Sequence, residues 1–77
     1  MRKHILFKDE EISREIERRI REEHLEEGDR LPSERQLAEE FGVQRDTVRC
    51  ALEILLKRGV VIKKPRLGYY AAPEKIE

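Results

Sequence analysis

Between Ser33 and Gly59 two apolar patterns of helical period stand back to back, with only Phe41-Gly42-Val43-Gln44 to link them. That link limits the fold more than any other feature, because a chain this tightly connected must turn its second helix sharply off its first. Ser33 precedes Gln36 by three residues, the capping-box spacing in which each side chain satisfies a backbone group at a helix start. Leu37, Ala38 and Phe41 form the apolar face that follows, and Gly42 is the residue type that ends helices in the left-handed conformation. Helix two is therefore expected from about 33 to 41. Val43 is expected to pack inward, and Gln44 opens the next helix as a weaker cap than serine. Val48, Ala51, Leu52 and Leu55 keep helical spacing until Gly59, so helix three is expected from about 45 to 58.

The flanking sequence supplies the remaining layers. Ile12, Ile16 and Ile20 recur at every fourth position among charged residues, which predicts an amphipathic helix one from about 9 to 24. Leu25 adds an anchor, Glu26-Glu27-Gly28-Asp29 reads as a reversal, and Arg30-Leu31-Pro32 as a short extended segment. Val60-Val61-Ile62 and Tyr69-Tyr70-Ala71-Ala72, separated by basic residues, Pro65 and Gly68, predict a hairpin from about 60 to 72 that Pro73 ends. The expected fold is mainly α with a small β-hairpin, three helices and then the hairpin, in a single domain over residues 1–77. Charged residues form 44% of the chain against 38% apolar, so the core is small and a large catalytic cavity is not expected.

Charge is distributed in two blocks although its total is zero. Residues 1–40 carry nine Lys/Arg and thirteen Asp/Glu, net −4, and residues 41–77 carry eight and four, net +4. Between Gln44 and Tyr70 lie Arg45, Arg49, Lys57, Arg58, Lys63, Lys64 and Arg66, opposed within that segment only by Asp46 and Glu53. Such a segment suits a polyanion. With Val48, Ala51, Leu52 and Leu55 facing the core, Arg45, Arg49 and Glu53 fall along one outward stripe, with Asp46 and Cys50 beside it. This is the arrangement of a helix that reads a DNA major groove: its first turns reach base edges, and an arginine fork matches guanine O6 and N7. Thr47 suits a phosphate or a thymine methyl, Gln44 a phosphate, and Asp46 either orients the arginines or accepts from cytosine.

The set Gly28-Asp29-Arg30-Leu31-Pro32-Ser33-Glu34-Arg35-Gln36-Leu37-Ala38, Phe41-Gly42-Val43, Arg45, Thr47-Val48-Arg49, Ala51-Leu52, Leu55 and Gly59-Val60-Val61 resembles the winged-helix DNA-binding domain of GntR-type bacterial transcription regulators. The resemblance implies that Arg35, Arg45 and Arg49 contact an operator, with Thr47 at a further contact position. It also implies that the hairpin is a wing entering the minor groove through a Gly-x-Gly tip. Here the first tip glycine is replaced by Arg66 and only Gly68 remains, while Gln44 stands where the family carries a serine cap. Ser33, Arg35, Lys64 and Arg66 are expected to hold the DNA backbone, with Arg66 alternatively inserted into the minor groove. Implied partners are double-stranded operator DNA and a second copy of the chain on a two-fold symmetric site, with action as a repressor. A small-molecule effector is implied only for a C-terminal domain that these 77 residues do not include.

Other chemistries have little to stand on. One cysteine cannot close an internal disulfide, His4 and His24 lack an accompanying ligand set, and Ser13 and Ser33 have no base at nucleophile spacing. No catalytic residue, cofactor or metal is expected. Apolar runs as short as Ile5 to Phe7 predict neither a signal peptide nor a membrane span, and a cytoplasmic setting is expected. Two rival readings remain open: a winged helix that docks an acidic protein, and a nucleic-acid binder without sequence preference.

Overall fold

The computed structural model describes residues 8–72, which form α1 (Lys8–Glu22), α2 (Glu34–Phe41), α3 (Arg45–Arg58), β1 (Val61–Lys64) and β2 (Gly68–Ala71). His4, the run from Ile5 to Phe7, and the chain from Pro73 onward lie outside the described residues. The isoleucine stripe does what its spacing implies: Ile12, Ile16 and Ile20 are buried in one cluster with Val48, Ala51, Leu52 and Leu55 of α3, and with Leu31, Leu37 and Val60. α1 packs chiefly on α3. A bidentate pair reinforces that contact, with Arg58 Nη1 and Nη2 donating to the buried Glu17 carboxylate at 2.7 and 3.2 Å.

α1 stops at Glu22, two residues short of the expected end at residue 24. The Leu25 amide donates to the Ile20 carbonyl at 3.0 Å and the His24 amide to Arg21 at 3.1 Å, while His24 takes φ 56°. This is a Schellman ending, in which His24 occupies the left-handed position and Leu25 is turned back onto the core. The reversal that follows is closed by Asp29, whose carboxylate accepts from the Glu26 amide at 2.7 Å.

At α2 the capping box is present in full: Ser33 Oγ accepts from the Gln36 amide at 3.1 Å, and Gln36 Oε1 accepts from the Ser33 amide at 2.9 Å. Ser33 is thus the cap and Glu34 the first helical residue. Ser33→Ala removes one of these bonds, so stability is expected to fall by about 1 kcal/mol and the melting temperature by roughly 4–8 °C, measured by circular dichroism. An unchanged melting temperature would show that the cap contributes nothing. Gly42 ends α2 at φ 68°, ψ 35°, a conformation that costs side-chain-bearing residues and that lets α3 start three residues later. Gln44 caps α3 through its backbone only, with no side-chain hydrogen bond, as its weak capping tendency implies.

The hairpin pairs Val61 with Ala71, Ile62 with Tyr70, Lys63 with Tyr69 and Lys64 with Gly68. The expected strands are displaced by a residue: β1 starts at Val61 instead of Val60 and reaches Lys64, and β2 starts at Gly68. The extended segment before α2 joins this sheet. Arg30 bridges Tyr70, the Leu31 amide donates to Tyr69 at 2.8 Å and the Ala71 amide to Asp29 at 2.8 Å. The wing is therefore flanked on its inner edge by backbone from the other side of the domain, which seats β2 against the start of α2.

Candidate nucleic-acid interface

Burial of Val48, Ala51, Leu52 and Leu55 sets the rotation of α3, and the opposite face presents Arg45, Asp46, Arg49, Cys50 and Glu53 to solvent, as the helical wheel predicts. Thr47 is half-buried at the edge of this face. Arg35 projects from α2 with a side chain 77% exposed and only a 3.9 Å approach to Glu39. A shallow groove of about 490 Å³ between α2 and the start of α3 brings Arg35, Gln44, Arg45 and Asp46 together along one rim. Four candidates from two helices thus share one surface.

The arginines of α3 are not loose. Arg49 Nη1 lies 3.1 Å from Asp46 Oδ1. Arg49 Nη2 lies 3.3 Å from Glu34 Oε1, and Arg45 Nη2 lies 3.7 Å from the same oxygen. Glu34 Oε2 accepts from the Tyr69 hydroxyl at 2.7 Å. Glu34 is only 15% exposed at its side chain, so its charge is partly withdrawn from water, where these contacts count for more than surface pairs. Burial alone would raise its carboxyl, but the hydrogen bonds from Tyr69 and Arg49 and the charges of Arg49 and Arg45 outweigh that and hold it below the usual carboxylate range. Burial, then the hydrogen bond and charge of Glu34, push the Tyr69 phenol up to about 12, so it stays protonated and donates. Glu34 and Tyr69 are functional candidates that sequence reasoning missed. They lie 35 residues apart, and no local pattern brings them together.

Lys63, Lys64 and Arg66 are exposed at or beside the wing tip. Lys63 Nζ stands 5.6 Å over the Tyr69 ring and Lys64 Nζ 4.7 Å over the Tyr70 ring, cation–π contacts that direct both amines along the wing. At the tip the Leu67 amide donates to the Lys64 carbonyl at 2.9 Å, and Arg66 takes φ 67°. Arg66 therefore adopts the left-handed conformation for which glycine is the usual residue, at a cost of roughly 1–2 kcal/mol. Gly68, at φ 119°, sits against the Arg30 side chain, so a Cβ there would combine strain with contact. Arg35, Gln44, Arg45 and Asp46 share one groove, Ser33 lines another beside Arg30, and the wing strand joins the start of α2 through Tyr69 and Glu34. Among the described residues no group of His, Cys, Asp and Glu is arranged to hold a metal ion, and Cys50 is exposed.

Comparison with known proteins gives a consistent result. The model of the family described as bacterial regulatory proteins, gntR family, matches residues 8–70. The uncharacterized HTH-type transcriptional regulator YieP of Escherichia coli is 36% identical over 63 residues, covering 82% of this chain and 27% of its own length. The HTH-type transcriptional repressor NagR of Bacillus subtilis is 34% identical over 67 residues, covering 87% of this chain and 28% of its own. The chain thus spans about a quarter of these curated relatives. Among solved structures, the possible transcriptional regulator YydK from Bacillus subtilis superimposes with a TM-score of 0.81 at 33% identity, over 83% of this chain and 28% of that one. The DNA-binding domain of AraR in complex with operator ORX1 superimposes with a TM-score of 0.79 at 28% identity, over 84% of this chain and 78% of that one.

Proposed function

This chain belongs to the GntR family of bacterial regulatory proteins and is the DNA-binding domain of a transcription regulator, and from that premise we propose how its residues divide the work. Arg45, Thr47 and Arg49 read base edges in the major groove, with Asp46 holding Arg49 in position. Ser33, Arg35, Gln44, Lys64 and Arg66 hold phosphates, and the wing around Gly68 lies against the minor groove. The observation that carries this reading is the pair of exposed arginines on α3 that both approach the largely buried Glu34 carboxylate. An arginine whose fork is already oriented forms its two bonds to guanine with less ordering than a free one.

We further propose a homodimer on a two-fold symmetric operator, repression by occupying that operator, a non-enzymatic role, and action in the bacterial cytoplasm. Among the described residues no helix is long and apolar enough to cross a membrane. Effector binding is proposed only for a further domain joined to this one. The test is selection of binding sites from a random duplex pool, followed by titration of the selected and a scrambled duplex across a salt series. An inverted repeat is expected, with affinity falling about 1,000-fold between 50 and 200 mM salt if Arg35, Lys64 and Arg66 of two copies neutralise roughly six phosphates. Equal affinity for scrambled DNA at every salt concentration would overturn sequence-specific reading, and absence of any shift at low salt would favour an acidic protein partner.

A further inference from the structure

Tyr69 is 5% exposed and belongs to the hydrophobic cluster, yet its hydroxyl leaves that cluster to meet a charged group. It sits on β2 directly opposite Lys63 and one residue from Gly68 at the base of the wing tip. Its partner Glu34 opens α2, and the two oxygens of that carboxylate face different ways. Oε2 accepts from Tyr69 at 2.7 Å, and Oε1 lies 3.3 Å from Arg49 and 3.7 Å from Arg45. Glu34 is thus held at one end by the wing strand and at the other holds the arginines of α3. Without the hydroxyl, its carboxylate is free to change rotamer, and Arg49 keeps only Asp46, whose side chain is 83% exposed.

We propose that Tyr69 is a positioning residue for DNA specificity: through Glu34 it sets the direction of the Arg49 guanidinium before DNA arrives, coupling the wing strand to the reading helix. The inference rests on the reading of Arg49 given above. It requires no contact between Tyr69 and DNA. Arg49 arrives at the groove with its side chain already ordered, which removes one of the ordering costs that binding otherwise carries.

Tyr69→Phe is a clean probe because it keeps the ring, its packing and the Lys63 contact and removes only the donor. With the site-selected duplex, Tyr69→Phe is expected to lower affinity about five- to tenfold, while affinity for a scrambled duplex and the salt slope stay within about twofold. In an Arg49→Ala background the same change is expected to have less than about a twofold effect on either duplex, since the two residues act in one chain of contacts. Glu34→Gln, which keeps the shape of the carboxylate, is expected to reproduce the loss and serves if Tyr69→Phe does not fold. Equal losses on both duplexes, or a Tyr69→Phe effect that persists undiminished without Arg49, would reduce Tyr69 to a structural residue and overturn the inference. If Arg49→Ala itself weakens both duplexes alike, the reading role of Arg49 falls and this inference falls with it. If Arg49→Ala is selective and Tyr69→Phe is silent, only this inference fails.

Discussion

Arg49→Ala is expected to lower affinity for the selected operator by about 10- to 100-fold, a loss of about 1–3 kcal/mol, and to flatten base preference at one position of each half-site. The magnitude follows from geometry. The burial of Val48 and Leu52 leaves α3 no freedom to roll, so Arg49 faces outward, and its Nη1 and Nη2 lie 3.1 Å from Asp46 and 3.3 Å from Glu34, which orient the plane of its guanidinium. A fork held in that way matches the two acceptors of guanine and no other base as well. Removing it also leaves the Asp46 carboxylate facing a polyanion without its cation, and Glu34 with Arg45 only. Lys64→Ala is the control: its amine lies over Tyr70 at the wing and is expected to weaken selected and scrambled duplexes alike, lowering the salt slope by about one. Titration of both duplexes with both variants decides the matter. Equal loss on the two duplexes for Arg49→Ala would make it a backbone contact.

Leu52→Ala is expected to produce the largest change in stability. Leu52 is fully buried within the cluster that joins α1 to α3, and truncation at such sites costs about 2–5 kcal/mol. A domain of this length has only about 4–12 kcal/mol in total, so the variant loses a large part of it, and its melting temperature should fall by about 10–30 °C. Because the lesion lies behind the reading face, DNA binding by the folded fraction at low temperature should be nearly unchanged. A thermal melt followed by titration well below the transition checks both halves. A shift of under about 4 °C would mean that α1 closes onto α3 and fills the cavity.

The burial of Leu52 and the exposure of Arg49 follow from residue spacing alone, because a helix repeats every 3.6 residues and the apolar face must turn inward. The capping box of Ser33 and Gln36, the helix ends at Gly42 and Gly59, and the amphipathic stripe of α1 are local in the same sense. The resemblance to a known family rested on the same stretch and extended to the wing. The early end of α1 at Glu22 was less legible, since His24 is an uncommon residue for the left-handed position and spacing does not reveal it.

The sequence by itself determined the element order, the buried faces, the two arginines offered to a ligand and the basic character of the segment that follows. Tertiary structure alone decided that Arg30 bridges Tyr70 and that Glu34 stands between Tyr69 and the arginines of α3. Partners there lie 11 to 40 residues apart in the chain. Local spacing describes which way a side chain leaves its own helix or strand. Whether two such side chains meet depends on how the elements cross, and that is set by the packing of the whole core.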